Sequence, residues 1–260
     1  MQRKCRGHQD TGEKGDYVVH PTAHSQALLT RLFDEIDYQT LGPVYCDEGG
    51  EAFWDAHRES VLESGKRWAA ACSQRISPDG ASLYVGAGVA ELGVLVTEVC
   101  DLGRRVHVTN LDQVECGSLN ATLAGVGLSD RISFQCIDAA ELLTSDPALT
   151  YDHLSVVSVL NDPVLYPNVS GVAYGRVAPV LLDVPAFENE RDKLRGLASI
   201  LLAGLSLPGT ITTTVEEVSW FLAAGADHDL AIAADDEMVP TALVGDPLGF
   251  LRVTRAEGAT

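Results

Sequence analysis

Gly86 and Gly88 sit in Leu83-Tyr84-Val85-Gly86-Ala87-Gly88-Val89-Ala90-Glu91-Leu92, where a short apolar run passes through a glycine turn into helical spacing. Glycine at such a junction lets backbone approach a ligand with no Cβ in between, and open α/β sheets bind ligands at the carboxyl ends of their strands. Tight turning alone would also account for these glycines. Asp112 closes the next apolar run, Val106 to Leu111. A carboxylate there can accept from both hydroxyls of a ribose, or it can cap the helix that follows. Asp138 ends a third run in Cys136-Ile137-Asp138-Ala139-Ala140, where it could accept from an adenine amino group or again act as a cap. Three polar strand ends in register point to one ligand-binding rim.

The elements that must position these residues follow from periodicity. Apolar residues recur at helical spacing from His24 to Tyr38 and from Phe53 to Cys72, so the folded part opens with helices. The glycine-rich stretch Leu41 to Gly50 between them reads as a flexible segment over a site. After the turn Ser77-Pro78-Asp79-Gly80, short apolar runs alternate with helical periods, the pattern of a parallel sheet with crossover helices. Strands are expected at Leu83–Val85, Val106–Leu111, Ile132–Ile137 and Leu154–Leu160. Leu92, Leu95, Val96 and Val99 form one helical stripe, and Leu119 with Leu123 belongs to a helix ending near Gly125 to Gly127.

Pro163 to Phe187, rich in proline and aromatics, reads as an irregular loop. A helix from Asn189 to Leu205, a strand from Thr210 to Val215 and a helix at Trp220–Ala224 follow. Pro240–Val244 and Phe250–Thr254 read as a terminal antiparallel hairpin. The domain plan is a flexible tail over 1–19, a helical extension over 20–76 and one α/β domain over 77–260.

The 260 residues carry 37 acidic against 18 basic side chains, a formal charge of −19. That field repels phosphate backbones and anionic lipid, so neither nucleic acid nor membrane is an expected partner. Cys5, Cys46, Cys72, Cys100, Cys116 and Cys136 form no CxxC pair, and no apolar run could span a bilayer. A cytoplasmic protein with reduced thiols is expected. His20 and His24 flank Pro21 with no completing ligand nearby, so no metal site is expected.

Residues 82 to 160 resemble the core of the class I S-adenosylmethionine-dependent methyltransferases. Gly86-Ala87-Gly88-Val89-Ala90-Glu91-Leu92 resembles their glycine-rich motif, Asn110-Leu111-Asp112 their ribose-binding acidic motif, and Ile137-Asp138-Ala139 their adenine-contacting stretch. The resemblance implies a Rossmann-like, mostly parallel seven-stranded sheet closed by an antiparallel C-terminal hairpin. It also implies an S-adenosyl-L-methionine pocket formed by Gly86, Gly88, Asp112, Asp138 and Ala139. Where the family has an acid two positions before the first glycine, this chain has Tyr84, and Glu91 is the candidate to replace that acid.

Glu91 also separates this cofactor from a dinucleotide. A nicotinamide site wants Gly-x-Gly-x-x-Gly, with the helix N-terminus facing a pyrophosphate. Glu91, three residues after Gly88, would repel that anion, whereas carboxylates favour a sulfonium.

Asn161 and Asp162, in Val159-Leu160-Asn161-Asp162-Pro163, stand where the family meets its acceptor. They could orient the acceptor or take its proton, or form a turn. Tyr166, Tyr174, Phe187, Phe53, Trp54 and His57 could wall an apolar pocket. The expected function is methyl transfer to a small-molecule acceptor. Aminocarboxypropyl transfer from the same cofactor and a non-catalytic binding protein stay open, as does a homodimer.

Overall fold

The computed structural model describes residues 21–46, 50–243 and 246–256. The expected tail, Cys5, His20 and the Val244–Gly245 part of the expected hairpin lie outside the described residues.

Seven strands form one sheet in the order β3-β2-β1-β4-β5-β7-β6. They are β1 (Ala81–Val85), β2 (Arg105–Asn110), β3 (Phe134–Cys136), β4 (Tyr151–Val156), β5 (Leu205–Thr214), β6 (Leu230–Ala234) and β7 (Leu248–Arg255). β1 through β5 run parallel, and β7 lies antiparallel between β5 and β6. The chain order reverses at β1 beside β4, and ligands of open α/β sheets bind at such a switch point. The Rossmann-like architecture with an antiparallel closing pair is therefore as expected.

Helices cover both faces. On one lie α1 (Ala23–Glu35), α2 (Tyr38–Tyr45), α3 (Gly50–Ser73), α4 (Leu92–Cys100) and α5 (Gln113–Gly125). Their core joins Leu32, Trp54, Trp68, Leu95 and Leu119 to Tyr84, Val108 and Phe250 of the sheet. On the other lie α6 (Ala139–Ser145), α7 (Pro167–Ala173), α8 (Val184–Ala203) and α9 (Val218–Asp227). There Leu194, Leu201 and Phe221 pack on Leu83, Val85, Leu154 and Leu251. The period-two alternation along β1 sends Leu83 and Val85 to one layer and Tyr84 to the other.

Several elements differ from the sequence reading. β4 ends at Val156, four residues short of Leu160. The segment beyond it turns through Ser158, whose φ is +58°. Glu217, at the start of α9, holds this segment: its carboxylate accepts from Ser158 N at 3.0 Å, Leu160 N at 2.5 Å, and the Thr213 and Thr214 hydroxyls. Pro163 to Phe187 contains α7 and the first turn of α8, which carry Pro167 and Pro185 at their first and second positions, where a missing N–H costs nothing. Leu41 to Tyr45 is helical despite Pro43, with Asp37 capping α2 through the Thr40 amide. The terminal antiparallel pair is β6 with β7. Pro240–Leu243 forms no strand, and only Val239 makes an isolated bridge to Leu248.

Beneath the sheet, Ser82 and Tyr84 enter a buried polar network. The Tyr84 hydroxyl donates to Glu98 at 2.6 Å, and Arg104 and His153 pair with the same carboxylate, each at 3.1 Å. Burial works against ionised Glu98, yet His153, Arg104 and the Ser82 hydroxyl outweigh it and hold the carboxyl at about 2.

Candidate functional site

Two hollows open at the carboxyl ends of the parallel strands and share Gly86, Glu115 and Ser158 as a common wall. The smaller, about 240 Å³, lies over β1, β2 and β3, between Asn110, Leu111, Asp138 and Ala139 on one side and Val159, Asp162, Leu165 and Tyr166 on the other. The larger, about 400 Å³, lies between the glycine turn and the N-terminal helices, walled by Tyr45, Phe53, Trp68, Gly88, Glu91 and Leu243 among others. A further hollow of about 470 Å³ lies near the amino-terminal half of β5, around Arg75, Thr210 and Arg252. It is larger, but it lies away from the strand tips where the fold binds ligands.

The glycines act as steric gaps. Gly86 adopts φ +66°, and a Cβ on it would meet Val159 Cγ2 at 2.8 Å. A Cβ on Gly88 would collide with the Glu115 carboxylate and the Tyr45 hydroxyl. Side chains from α2 and α5 thus close directly onto the turn.

Three acidic groups meet there. Glu91 accepts the Gly88 amide at 2.7 Å, and burial, with the charge of Glu115, pushes its carboxyl up to about 7 against that hydrogen bond. Glu115 accepts from Asn110 Nδ2 at 2.9 Å and from the Tyr45 hydroxyl, and burial raises it despite both donors. The Tyr45 hydroxyl also accepts the Val89 amide at 2.9 Å, and burial beside Glu115 holds that phenol protonated. No Lys, Arg or His lines either hollow among the described residues. Two carboxylates buried without a cation are costly in isolation and favour a positively charged ligand.

Of the residues singled out from sequence, Gly86, Gly88, Glu91, Asp138, Ala139 and Asp162 line the hollows. Asp138 also caps α6 through the Ala140 amide at 2.7 Å, and Asp162 accepts the amides of Val164 and Leu165 in a local turn. Three others line neither hollow. Asp112 is exposed, lines neither hollow and caps α5 through the Glu115 amide at 2.8 Å; the side chain that reaches the hollow from the end of β2 is Asn110, two residues earlier. Tyr84 is fully buried beneath the sheet on Glu98. Asn161 is 3% exposed and lines neither hollow.

Of the aromatics, Tyr166 and Phe53 line the hollows, whereas Trp54 is core and Tyr174 donates to Asp246 at 2.5 Å. Sequence reasoning missed Tyr45, Glu115 and Trp68. Glu115 carried a signal, since Asp112-x-x-Glu115 is a cap spacing that brings an acid into the first helical turn. Tyr45 was hidden by Gly42 and Pro43, which read as a loop.

No protein-family model matches the chain, and no curated protein matches it. Among solved structures, the chain is similar to TrmN from Thermus thermophilus, at 18% identity over 74% of this chain and 48% of that one, with a TM-score of 0.45. This chain thus spans about half the length of the Thermus protein. It is also similar to the precorrin-6y C5,15-methyltransferase from Geobacter metallireducens GS-15, at 12% identity over 76% and 89% with a TM-score of 0.44. A third likeness is to P. horikoshii TYW2 in complex with MeSAdo, at 14% identity over 77% and 64% with a TM-score of 0.44. Among the described residues, no helix is long and apolar enough to cross a membrane.

Proposed function

We propose that the chain is an S-adenosylmethionine-dependent methyltransferase acting on a small-molecule acceptor. The observation that carries this reading is the pair of hollows over the glycine turn, walled by Glu91 and Glu115 and free of basic side chains among the described residues. A pyrophosphate would find carboxylates and no cationic side chain among the described residues there, whereas a sulfonium compound brings the charge that the two acids lack.

Asn110, Asp138 and Ala139, with Gly86 and Val159 at the switch point, would hold the adenosyl part in the smaller hollow. Glu91 and Glu115 would face its positive end. When bound, the cofactor supplies an electrophilic methyl group. The chain's own contribution is alignment and exclusion of water, which can account for most of the rate in such a transfer. Glu217 serves alignment by fixing Ser158 and Leu160, so the wall shared by both hollows is tied to the sheet. The −19 charge supports a small acceptor over a polyanionic one.

Isothermal titration with S-adenosylmethionine and S-adenosylhomocysteine tests the reading, with micromolar binding expected for both. Absence of binding by either would leave a non-catalytic protein of this fold. Product analysis then decides the transferred group: S-adenosylhomocysteine marks methyl transfer, and methylthioadenosine marks aminocarboxypropyl transfer.

A further inference from the structure

The larger hollow has a composition of its own. Its body is apolar and aromatic, with Val44, Phe53, Val61, Trp68, Leu243 and Leu248 in the wall. Against that body stand the carboxyls of Glu91 and Glu115, and no Lys, Arg or His lines it among the described residues. A cation beside carboxylates and aromatic faces, shielded from water, gains from both.

We propose that this hollow is the acceptor compartment, and that the acceptor is an amine on an apolar body, with Glu91 as its proton acceptor. The inference rests on the methyltransferase reading for the reaction but not for the binding. Glu91 and Glu115 hold the ammonium form. One N–H proton passes to the Glu91 carboxylate, and the freed nitrogen lone pair forms the new N–C bond to the methyl group. The C–S bond of the cofactor breaks with its electron pair kept by sulfur, which leaves a neutral thioether. Glu91 is suited to the proton because Gly88 and its own burial set it apart from solvent.

The cofactor's sulfonium could claim the same acids, and the experiment separates the two sources. Isothermal titration of the full chain, first without cofactor and then with saturating S-adenosylhomocysteine, uses phenethylamine, tryptamine and hexylamine against 2-phenylethanol and 3-phenylpropionate. At least one amine is expected to bind tenfold or more tightly than the alcohol, with the acid weakest. Glu91→Gln and Glu115→Gln are each expected to remove most of that preference, in variants shown by their melting curves to be folded. Equal affinity for amine and alcohol, no binding of any amine, or a preference untouched in Glu91→Gln overturns the proposal. So does a Glu91→Gln variant that loses affinity for S-adenosylmethionine relative to S-adenosylhomocysteine while keeping its amine preference, because the acid then serves the sulfonium. Failure of both cofactor ligands to bind would instead strike the proposed function, since the amine titrations without cofactor stand apart from it.

Discussion

The hydroxyl of Tyr45 donates to the carboxylate of Glu115, and together they cover the face of Gly88. Because the same hydroxyl accepts the Val89 amide, while Glu91 takes the Gly88 amide and Thr109 O takes the Ala87 amide, these three donors of the glycine turn are occupied from within. A ligand that needs the Val89 amide must displace Tyr45.

Removing the hydroxyl tests that competition. Tyr45→Phe leaves Val89 N–H unpaired and Glu115 short of a donor, which costs about 1–3 kcal/mol. For a chain of this size the melting temperature should fall by roughly 2–10 °C. Stabilisation by saturating S-adenosylhomocysteine should be larger in the variant than in the wild type, because the Val89 amide is free to bind it. Paired melting curves with and without ligand measure both, and a variant that melts with the wild type removes Tyr45 from this role.

Asp112 stands just past the tip of β2 and caps α5. Its carboxylate serves the Glu115 amide, so Asp112→Ala should cost about 0.5–2 kcal/mol as a lost helix cap. Cofactor affinity should change by less than about threefold, far from what loss of a charged hydrogen bond to ligand would give. Titration calorimetry on the folded variant checks this, and a tenfold loss would return Asp112 to the site.

What was legible follows from how local each signal is. The β1 turn and α4 are written in ten consecutive residues, with β-branched and apolar runs meeting glycine, and they form where periodicity places them. The tips of β2 and β4 fall one and four residues before their expected ends, because both remain apolar past their last ladder pair: Leu111 beyond Asn110, and Val157, Val159 and Leu160 beyond Val156. At β4 the strand is ended by Glu217, some 60 residues away, which captures the Ser158 and Leu160 amides. No local pattern shows that. β6 was missed because Leu230–Ala234 has small residues and mostly solvent-facing positions, and its pairing comes from β7. The acidic wall of the site likewise needs the fold, since Glu91 and Glu115 come from different connections and Tyr45 from a helix that Pro43 disguises.

Glu91 should leave its mark on the pH dependence of the ligand-free protein. Its neighbours in the hollow are the Gly88 amide, Glu115 and Tyr45, none of them a cation. With the folded carboxyl at about 7 and its ordinary value at 4.5, the protonated form is the one the fold prefers. Its contribution is full below 4.5 and lost as pH rises through about 7, on the order of 1–3 kcal/mol. Wild-type melting temperature should therefore decline between pH 5 and 8, and Glu91→Gln should flatten that decline. Identical profiles for the two proteins would show that Glu91 titrates normally.

The buried network beneath β1 predicts the opposite slope. Glu98 is held at about 2 in the fold against an ordinary 4.5 by His153 and Arg104, which outweigh its burial. Its contribution is present above 4.5 and lost as pH falls toward 2. Glu98→Gln at pH 7 leaves Arg104 with Asp152 as its one remaining acid among the described residues and His153 without its acid, and should cost about 3–5 kcal/mol, as for a broken buried pair. Urea unfolding at pH 7 measures the loss, and a cost under about 1 kcal/mol would mean that the network is not ionised.

Glu217 carries the last prediction because it links the core to the site. Its two oxygens accept from the Ser158, Leu160 and Thr214 amides and from the Thr213 and Thr214 hydroxyls. A glutamine can present one carbonyl oxygen, and its amino group would face donors it cannot accept from. Glu217→Gln should therefore cost about 1–3 kcal/mol and release the Ser158 to Asp162 segment that walls both hollows. S-adenosylhomocysteine should bind about tenfold more weakly to the folded variant, because the ligand would have to reorder that wall. Hydrogen exchange should show faster amides at Ser158 and Leu160 with α4 unchanged. Loss of stability with unaltered exchange there would confine Glu217 to the core and separate it from ligand binding.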